Sequence, residues 1–508
     1  MKRQVLYVLA VAAVAMAWCS LASGDGEKGS QDAVSRGAKV NKAAVDEAVK
    51  KACEWLKSQQ QPDGSWTDAG KHYDMLYPFA RTAFVLFALL KGTETGESEC
   101  IKKGFDWIKS QIKEKKDFPS VYAASALIMA LCALWEPSLE EPEKADIKPG
   151  EKLRTVVFDP LEYRMKKKFK EASYWEQELL KRAVRWLIAQ QTETVWRYPG
   201  MKPGDYGPDT TTGGNQDASN TQYAMLALYM ADMVGVKAPV EVYQKVAEYF
   251  IKQQEKEGPE VKPFPVPAAD LSITMLKKKE KEMLDELRKD AETAVKQGKP
   301  VSDRGPQTVV IEPEKEKEFG PEGAMKARGW AYLPQGQRSY VEFQTQVTGS
   351  MTTSGTGSLL ICKAKLEGTD WYKNNENRKN LCRAIRDGMA WLAHNFTVTD
   401  NPGPLKCWKY YYLYGIERCG VLALSRKIGE HFWYEEGAQH ILKTQAGDGS
   451  WPGATLSSGG EVKLFDYGPV YPTCFCILFL KRATAPVVNF EPIYTGEGLL
   501  PGGSKREE

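Results

Sequence analysis

The segment Lys409-Tyr410-Tyr411-Tyr412-Leu413-Tyr414-Gly415-Ile416-Glu417-Arg418 gathers the richest set of reactive and binding groups in the chain. If it is helical, Tyr411, Tyr414 and Arg418 share one face and Leu413, Ile416 and Gly420 another. Flat rings beside a guanidinium suit a ligand pocket, and the guanidinium offers a fork of donors to a carboxylate or phosphate. Glu417 is a weak candidate for a general acid. Adjacent charges in an otherwise apolar helix require partners, so ion pairs with neighbouring helices are the alternative for Glu417 and Arg418. A second cluster, Asp466-Tyr467-Gly468-Pro469-Val470-Tyr471, adds Tyr467 and Tyr471 as ligand-binding candidates. Its Asp466 reads as an acid near the same site or as a turn residue. A third, Asp217-Ala218-Ser219-Asn220-Thr221, offers Asp217 as an acid, with Ser219 or Asn220 as a helix N-cap. The four histidines, His72, His394, His431 and His440, are isolated in sequence, and His440 reads as packing. No metal site and no cofactor are expected.

These residues must be positioned by a repeat. Ala52-x-x-Trp55-Leu56, followed by Gln60 and Gly64-Ser65-Trp66, recurs as Gly104-x-x-Trp107-Ile108 and as Ala183-x-x-Trp186-Leu187 with Gln191 and Trp196. It returns as Val246-x-x-Tyr249-Phe250 with Gln254, as Gly388-x-x-Trp391-Leu392, and as Gly437-x-x-His440-Ile441 with Gln445 and Gly449-Ser450-Trp451. The aromatic positions lie 52, 79, 63, 142 and 49 residues apart, a unit of about 50 with insertions. Each copy reads as an amphipathic helix, then a Gly-containing turn, then a helix apolar nearly all round. A helix without a polar face is buried, and one with a polar face looks outward. The second helices are expected to start near Arg81, Val121, Thr221, Thr352, Tyr411 and Thr473. Six outer helices around six inner ones predict an all-α fold, an α/α toroid over residues 43–484. Trp55, Gln60, Trp66, Trp107, Trp186, Gln191, Trp391, Gln445 and Trp451 are its structural repeat residues.

Insertions at about 137–173, 192–216 and 255–335 account for the irregular spacing, and the charged run from Lys277 to Lys296 suits a solvated helix. A formal charge of +3, with 69 basic against 66 acidic residues, shows no basic excess and excludes nucleic acid as the expected partner. Lys2 and Arg3 precede an apolar run from Val5 to Trp18, and Ala22-Ser23-Gly24 follows, which predicts a signal peptide over 1–24 and an exported, periplasmic or secreted protein. Residues 25–42 read as a flexible segment and 485–508 as a tail. No later run is long enough for an integral membrane span. Nine cysteines remain after the signal, an odd count that argues for packed thiols rather than a disulfide framework.

Gln60-x-x-x-Gly64-Ser65-Trp66 and Gln445-x-x-x-Gly449-Ser450-Trp451 resemble the QW repeats of squalene-hopene cyclases, and the apolar second helices are similar to those of protein prenyltransferase β subunits. The resemblance implies the toroid. It does not carry the catalytic motifs with it. Ser219 stands where the cyclases' DxDD run has its proton-donating Asp, and no DDxxD is present. Pro472 stands where the prenyltransferases have a zinc-ligating His, and the CGEQ of complement-like thioester domains is missing. The expected function is therefore binding of an apolar small molecule or a peptide in the central cavity. The alternative is a divergent terpenoid cyclase or a glycan-active toroid enzyme. Two opposed carboxylates about 5 to 10 Å apart would mark a glycosidase, and one isolated acid among aromatics a cyclase.

Overall fold

The computed structural model describes residues 40–67, 79–112, 118–136, 161–191, 193–197, 217–296, 309–311, 325–333, 345–404, 408–453, 455–458, 462–466, 468–488 and 492–494. The expected signal peptide, residues 25–39, Tyr467 and most of the first two insertions lie outside them. For the strands at 309–311, 455–458, 462–466 and 492–494 the description is of the backbone.

Six helices form the outer layer: α1 (Lys42–Ser58), α3 (Glu99–Ile112), α6 (Tyr174–Ala189), α8 (Val240–Gln253), α13 (Asn375–His394) and α15 (Trp433–Lys443). Each has a charged face and a buried stripe, as in α1, where Val45, Ala48, Val49, Ala52, Cys53 and Leu56 point inward. Alternating with them are α2 (Ala80–Gly92), α4 (Val121–Leu134), α7 (Ala218–Met233), α11 (Gly349–Leu366), α14 (Lys409–Leu422) and α16 (Val470–Leu480). These are buried on nearly every side, 15 of the 16 residues in α7 for example. Packing runs α2 to α4, α4 to α7, α7 to α11, α11 to α14, α14 to α16, and α16 back to α2. The inner ring is closed, so the all-α toroid expected from the repeat is the fold.

The small residue of each repeat sits where an outer helix meets an inner one. A Cβ on Gly104 would come 2.7 Å from Leu86, and one on Gly437 or Gly388 would strike Phe479 or Thr356. Ala52 and Ala183 occupy the same position with no exposure. The aromatic three residues on is looser: Trp55, Trp107 and Trp186 are half-buried, while Tyr249 and Trp391 are buried.

The junctions between repeats are hydrogen-bonded in one pattern. Gln60 Nε2 donates to Gly64 O in its own turn and to Cys100 O in the next outer helix, each at 2.9 Å. Trp66 Nε1 donates to Leu56 O, and Trp66 N donates to Thr82 Oγ1 in the following inner helix. The indole thus binds the last turn of its own helix. Gln191 with Trp196, and Gln445 with Trp451, repeat every bond. Gln445 reaches Ala48 O at 2.9 Å, so the last repeat is fastened to the first. Gly64 and Gly449 take φ of +93° and +95°, and a Cβ there would meet the backbone of Lys103 or Lys51 at 2.5 or 2.6 Å. Only glycine fits that turn.

A fourth junction uses the expected Gln254 with a tryptophan that the spacing did not give. Gln254 Nε2 donates to Ala384 O and Arg328 O, and Trp330, 76 residues later, donates through its indole to Phe250 O and through its backbone N–H to Thr352 Oγ1 in the inner helix. The intervening chain carries β1 (Glu260–Val261), α9 (Pro267–Asp270), α10 (Ile273–Lys296), β2 (Val309–Ile311) and β3 (Met325–Lys326), with α5 (Leu161–Glu171) in the first insertion and α12 (Asp370–Lys373) before α13. Among the described residues, strands pair only two at a time: β1 with β3, β4 (Thr455–Ser458) with β5 (Val462–Asp466), and β2 with β6 (Pro492–Tyr494) of the tail. Glu367 at the end of α11 accepts from Ile273 N and Thr274 N at 2.7 Å and so caps α10. Among the described residues, eight cysteines are free and no helix is long and apolar enough to cross a membrane.

Candidate functional site

The N-terminal ends of the inner helices form one mouth of the toroid, and the site is built from their first turns. Asp217, not Ser219 or Asn220, is the N-cap of α7. Its Oδ1 accepts Asn220 N at 2.7 Å and its Oδ2 accepts Asn220 Nδ2 at 2.8 Å. Burial raises its carboxyl to about 7 despite those bonds. With the cap thus placed, Ser219 is free to face the mouth, where its Oγ lies 2.8 Å from Tyr122 OH and 3.1 Å from Tyr411 OH. α14 begins at Trp408, held at φ +69°, a left-handed conformation that costs a bulky residue energy and that clusters at functional sites.

A pocket of about 230 Å³ opens at this mouth between α14 and α16. Trp408, Tyr410, Tyr411 and Phe475 supply aromatic walls, and Thr399, Asp400 and Lys409 supply polar groups. The Lys409 ammonium is 4.6 Å from the Tyr410 ring centre, and burial lowers its pKa against the pull of nearby Asp400. A wider groove of about 430 Å³ on the outside, between α1 and α3, is lined by charges that pair with one another, as Lys57 does with Glu94 at 3.1 Å.

Below the pocket the axis is filled. Ring centres run from Tyr122 to Tyr223 at 5.4 Å, Tyr223 to Tyr411 at 6.2 Å, Tyr411 to Phe475 at 5.5 Å and Phe475 to Phe84 at 5.3 Å. Arg418 Nη2 donates to Gln222 Oε1, and Gln222 Nε2 donates to Tyr411 OH. A guanidinium can only donate, which fixes the orientation of the amide and makes the Tyr411 oxygen its acceptor. The Tyr411 proton is left for Ser219 or for a ligand at the mouth. Burial pushes the Tyr411 hydroxyl up to about 12, so it acts as a neutral hydrogen-bonding group.

Tyr411, Tyr414 and Arg418 therefore meet on the axis, with the guanidinium 4.4 Å above the Tyr414 ring. Tyr471 joins them through Phe84, at 6.1 Å, and faces Arg81. Glu417 points elsewhere: both its oxygens accept from Thr484, at 3.0 Å from the backbone and 2.7 Å from the hydroxyl. It pins the segment after α16, and burial raises its carboxyl to about 7. Among the described residues, neither Glu417 nor Arg418 has the ion-pair partner from a neighbouring helix that the sequence suggested. Asp466 ends β5, paired with Thr455. His440 is half-buried and held at about 4 by burial and by Lys409 and Lys443. Trp408, Asp400, Gln222 and Phe475 were not singled out in the sequence. Gln222 carried the clearest signal, as an amide side chain beyond the first turn of the otherwise apolar, buried helix α7.

No family model and no curated protein matches the chain. Among solved structures, the GH76A α-1,6-mannanase from Salegentibacter sp. HEL1_6 is similar at a TM-score of 0.41 and 9% identity, over 86% of this chain and 99% of that one. The toroid assignment stands on the closure of the inner ring.

Proposed function

We propose that this protein is an exported, glycan-recognising toroid that seats one sugar ring of a saccharide in the pocket at the N-terminal mouth. One observation carries the reading: aromatic walls from Trp408, Tyr410, Tyr411 and Phe475 combined with Asp400, Lys409 and Thr399 in about 230 Å³. A sugar offers a flat C–H face to an aromatic ring and hydroxyls to a carboxylate and an ammonium, and binding sites pair apolar walls with a few placed polar groups in this way. A long apolar ligand is less well served, because the axis beneath is occupied by Tyr223, Tyr411, Phe475 and Phe84. Cleavage of a glycosidic bond is the second reading. It needs a carboxyl at the pocket, where Asp400 stands, since Asp217 is buried with both oxygens on Asn220.

The test is calorimetric titration with neutral gluco-, manno- and xylo-oligosaccharides, beside an assay for released reducing ends. Trp408→Gly removes the ring and relieves the left-handed backbone, so it leaves the melting temperature intact while weakening binding by about tenfold or more. If no saccharide binds the wild-type protein, the reading is wrong.

A further inference from the structure

The axis beneath the pocket carries a charge with no counter-charge. Arg418 is 2% exposed, its Nη2 is spent on an amide and its face on the Tyr414 ring. Its Nη1 is buried without an acceptor. The adjacent acid, Glu417, has both oxygens on Thr484. Burying a cation without a hydrogen-bonded anion is costly, and an arriving opposite charge would offset that cost.

A second observation is open space on α11, the helix packed against α14. Gly357 lies within buried α11, yet a Cβ added there would meet nothing within 4 Å. On the same pair of helices a Cβ at Gly415 would strike Thr353, so the gap is local. The Gly357 backbone contacts the thiol of Cys419, the residue following Arg418. Helical spacing puts Ser350, Ser354, Gly357 and Ser358 on one face of α11. Ser354 on that face reaches Ala218 O of the neighbouring helix α7, and the Ser358 hydroxyl is a further buried group without a partner.

We propose that this space is a carboxylate-binding site, in which Arg418 Nη1 and the Ser358 hydroxyl donate to the two oxygens and Gly357 provides the room. Resting on the saccharide reading, the ligand is an acidic sugar, a uronic acid whose ring enters at the pocket and whose carboxylate passes Tyr411 towards the guanidinium. Gln222, clamped between Arg418 and Tyr411, is the residue that must yield on entry.

Three probes and two variants test it: D-glucuronate, D-glucose and sodium formate against wild type, Arg418→Gln and Gly357→Ala. Wild type is expected to bind glucuronate at least about tenfold more tightly than glucose, and to gain thermal stability saturably with formate at constant ionic strength. Arg418→Gln abolishes both preferences. Gly357→Ala fills the gap and weakens them without lowering the melting temperature, which covers the case of an Arg418 variant that fails to fold. Glucose binding with no preference for glucuronate and no formate effect would leave the saccharide reading standing and overturn the carboxylate site, the gap then holding water only. A formate effect that needs Arg418, with no sugar bound, supports the anion site and sinks the saccharide reading. A preference that survives in both variants overturns the proposal.

Discussion

The outer seam and the axis of this toroid are built on opposite principles. At the seam the same bonds recur at four junctions, made by Gln60 and Trp66, Gln191 and Trp196, Gln254 and Trp330, Gln445 and Trp451, with each glutamine amide donating twice. On the axis nothing recurs. Arg418, Gln222, Ser219 and Asp217 each occur in one repeat, and Arg418 Nη1, Ser358 Oγ and Asn220 Oδ1 are left without partners. Repetition marks what holds the ring. The unrepeated, incompletely satisfied polar groups mark where a ligand has something to add, because an unmade buried hydrogen bond is a standing cost that a ligand can relieve.

The largest expected effect lies at the seam. Trp330→Ala removes a ring with 1% exposure and the bond to Phe250 O, and should destabilise the fold by about 3 to 5 kcal/mol in urea unfolding. Trp55→Ala, at a half-buried repeat position, should cost less than about 1 kcal/mol. Equal losses would erase the distinction between the two aromatic positions. Gln445→Leu comes next, at about 1 to 3 kcal/mol, because it leaves Ala48 O and Gly449 O without their donor. Amide exchange should quicken in α1, which the last repeat otherwise fastens; unchanged exchange there would show that the ring closes by packing alone.

A further effect is on the axis side and depends on pH. Asp217 has a folded pKa raised to about 7 from 3.8, so between those values the native state holds a proton that the unfolded chain has lost. Stability therefore falls as pH rises through that window and levels off above it. Asp217→Asn should abolish its share of the slope. The variant keeps a good N-cap, and Asn220 can turn its unpartnered Oδ1 towards the new amide. An unaltered difference in melting temperature between pH 5 and pH 7.5 would mean that Asp217 is already ionised when folded.

Most of the seam was legible in the sequence, and little of the axis was. The apolar runs gave α4 its full extent, Val121–Leu134, and placed the other inner helices within three residues of their observed starts. Trp330 escaped because the insertion separates it from Gln254. It was recoverable from the other side, since Trp330 to Thr352 spans the same 22 residues as Trp451 to Thr473. Helical spacing brought Tyr411, Tyr414 and Arg418 together. It could not tell that Glu417 turns to Thr484, a contact made 67 residues away, nor that the pocket draws on Asp400 and Phe475 from different repeats. Those depend on how the ring closes, which no local pattern encodes.

That closure has a consequence for how the chain comes to be folded. The bond from Gln445 to Ala48 joins positions 397 residues apart, and α16 packs against both α1 and α2. Such non-local pairing is slow to form, because loop entropy must be overcome before the contact rewards it. Until the sixth repeat emerges, the earlier ones make an open arc whose two end inner helices, α2 and α14, each lack the neighbour that α16 supplies. An intermediate of that kind is prone to aggregate. Chains cut short before residue 445 should accumulate as insoluble arcs rather than as smaller toroids.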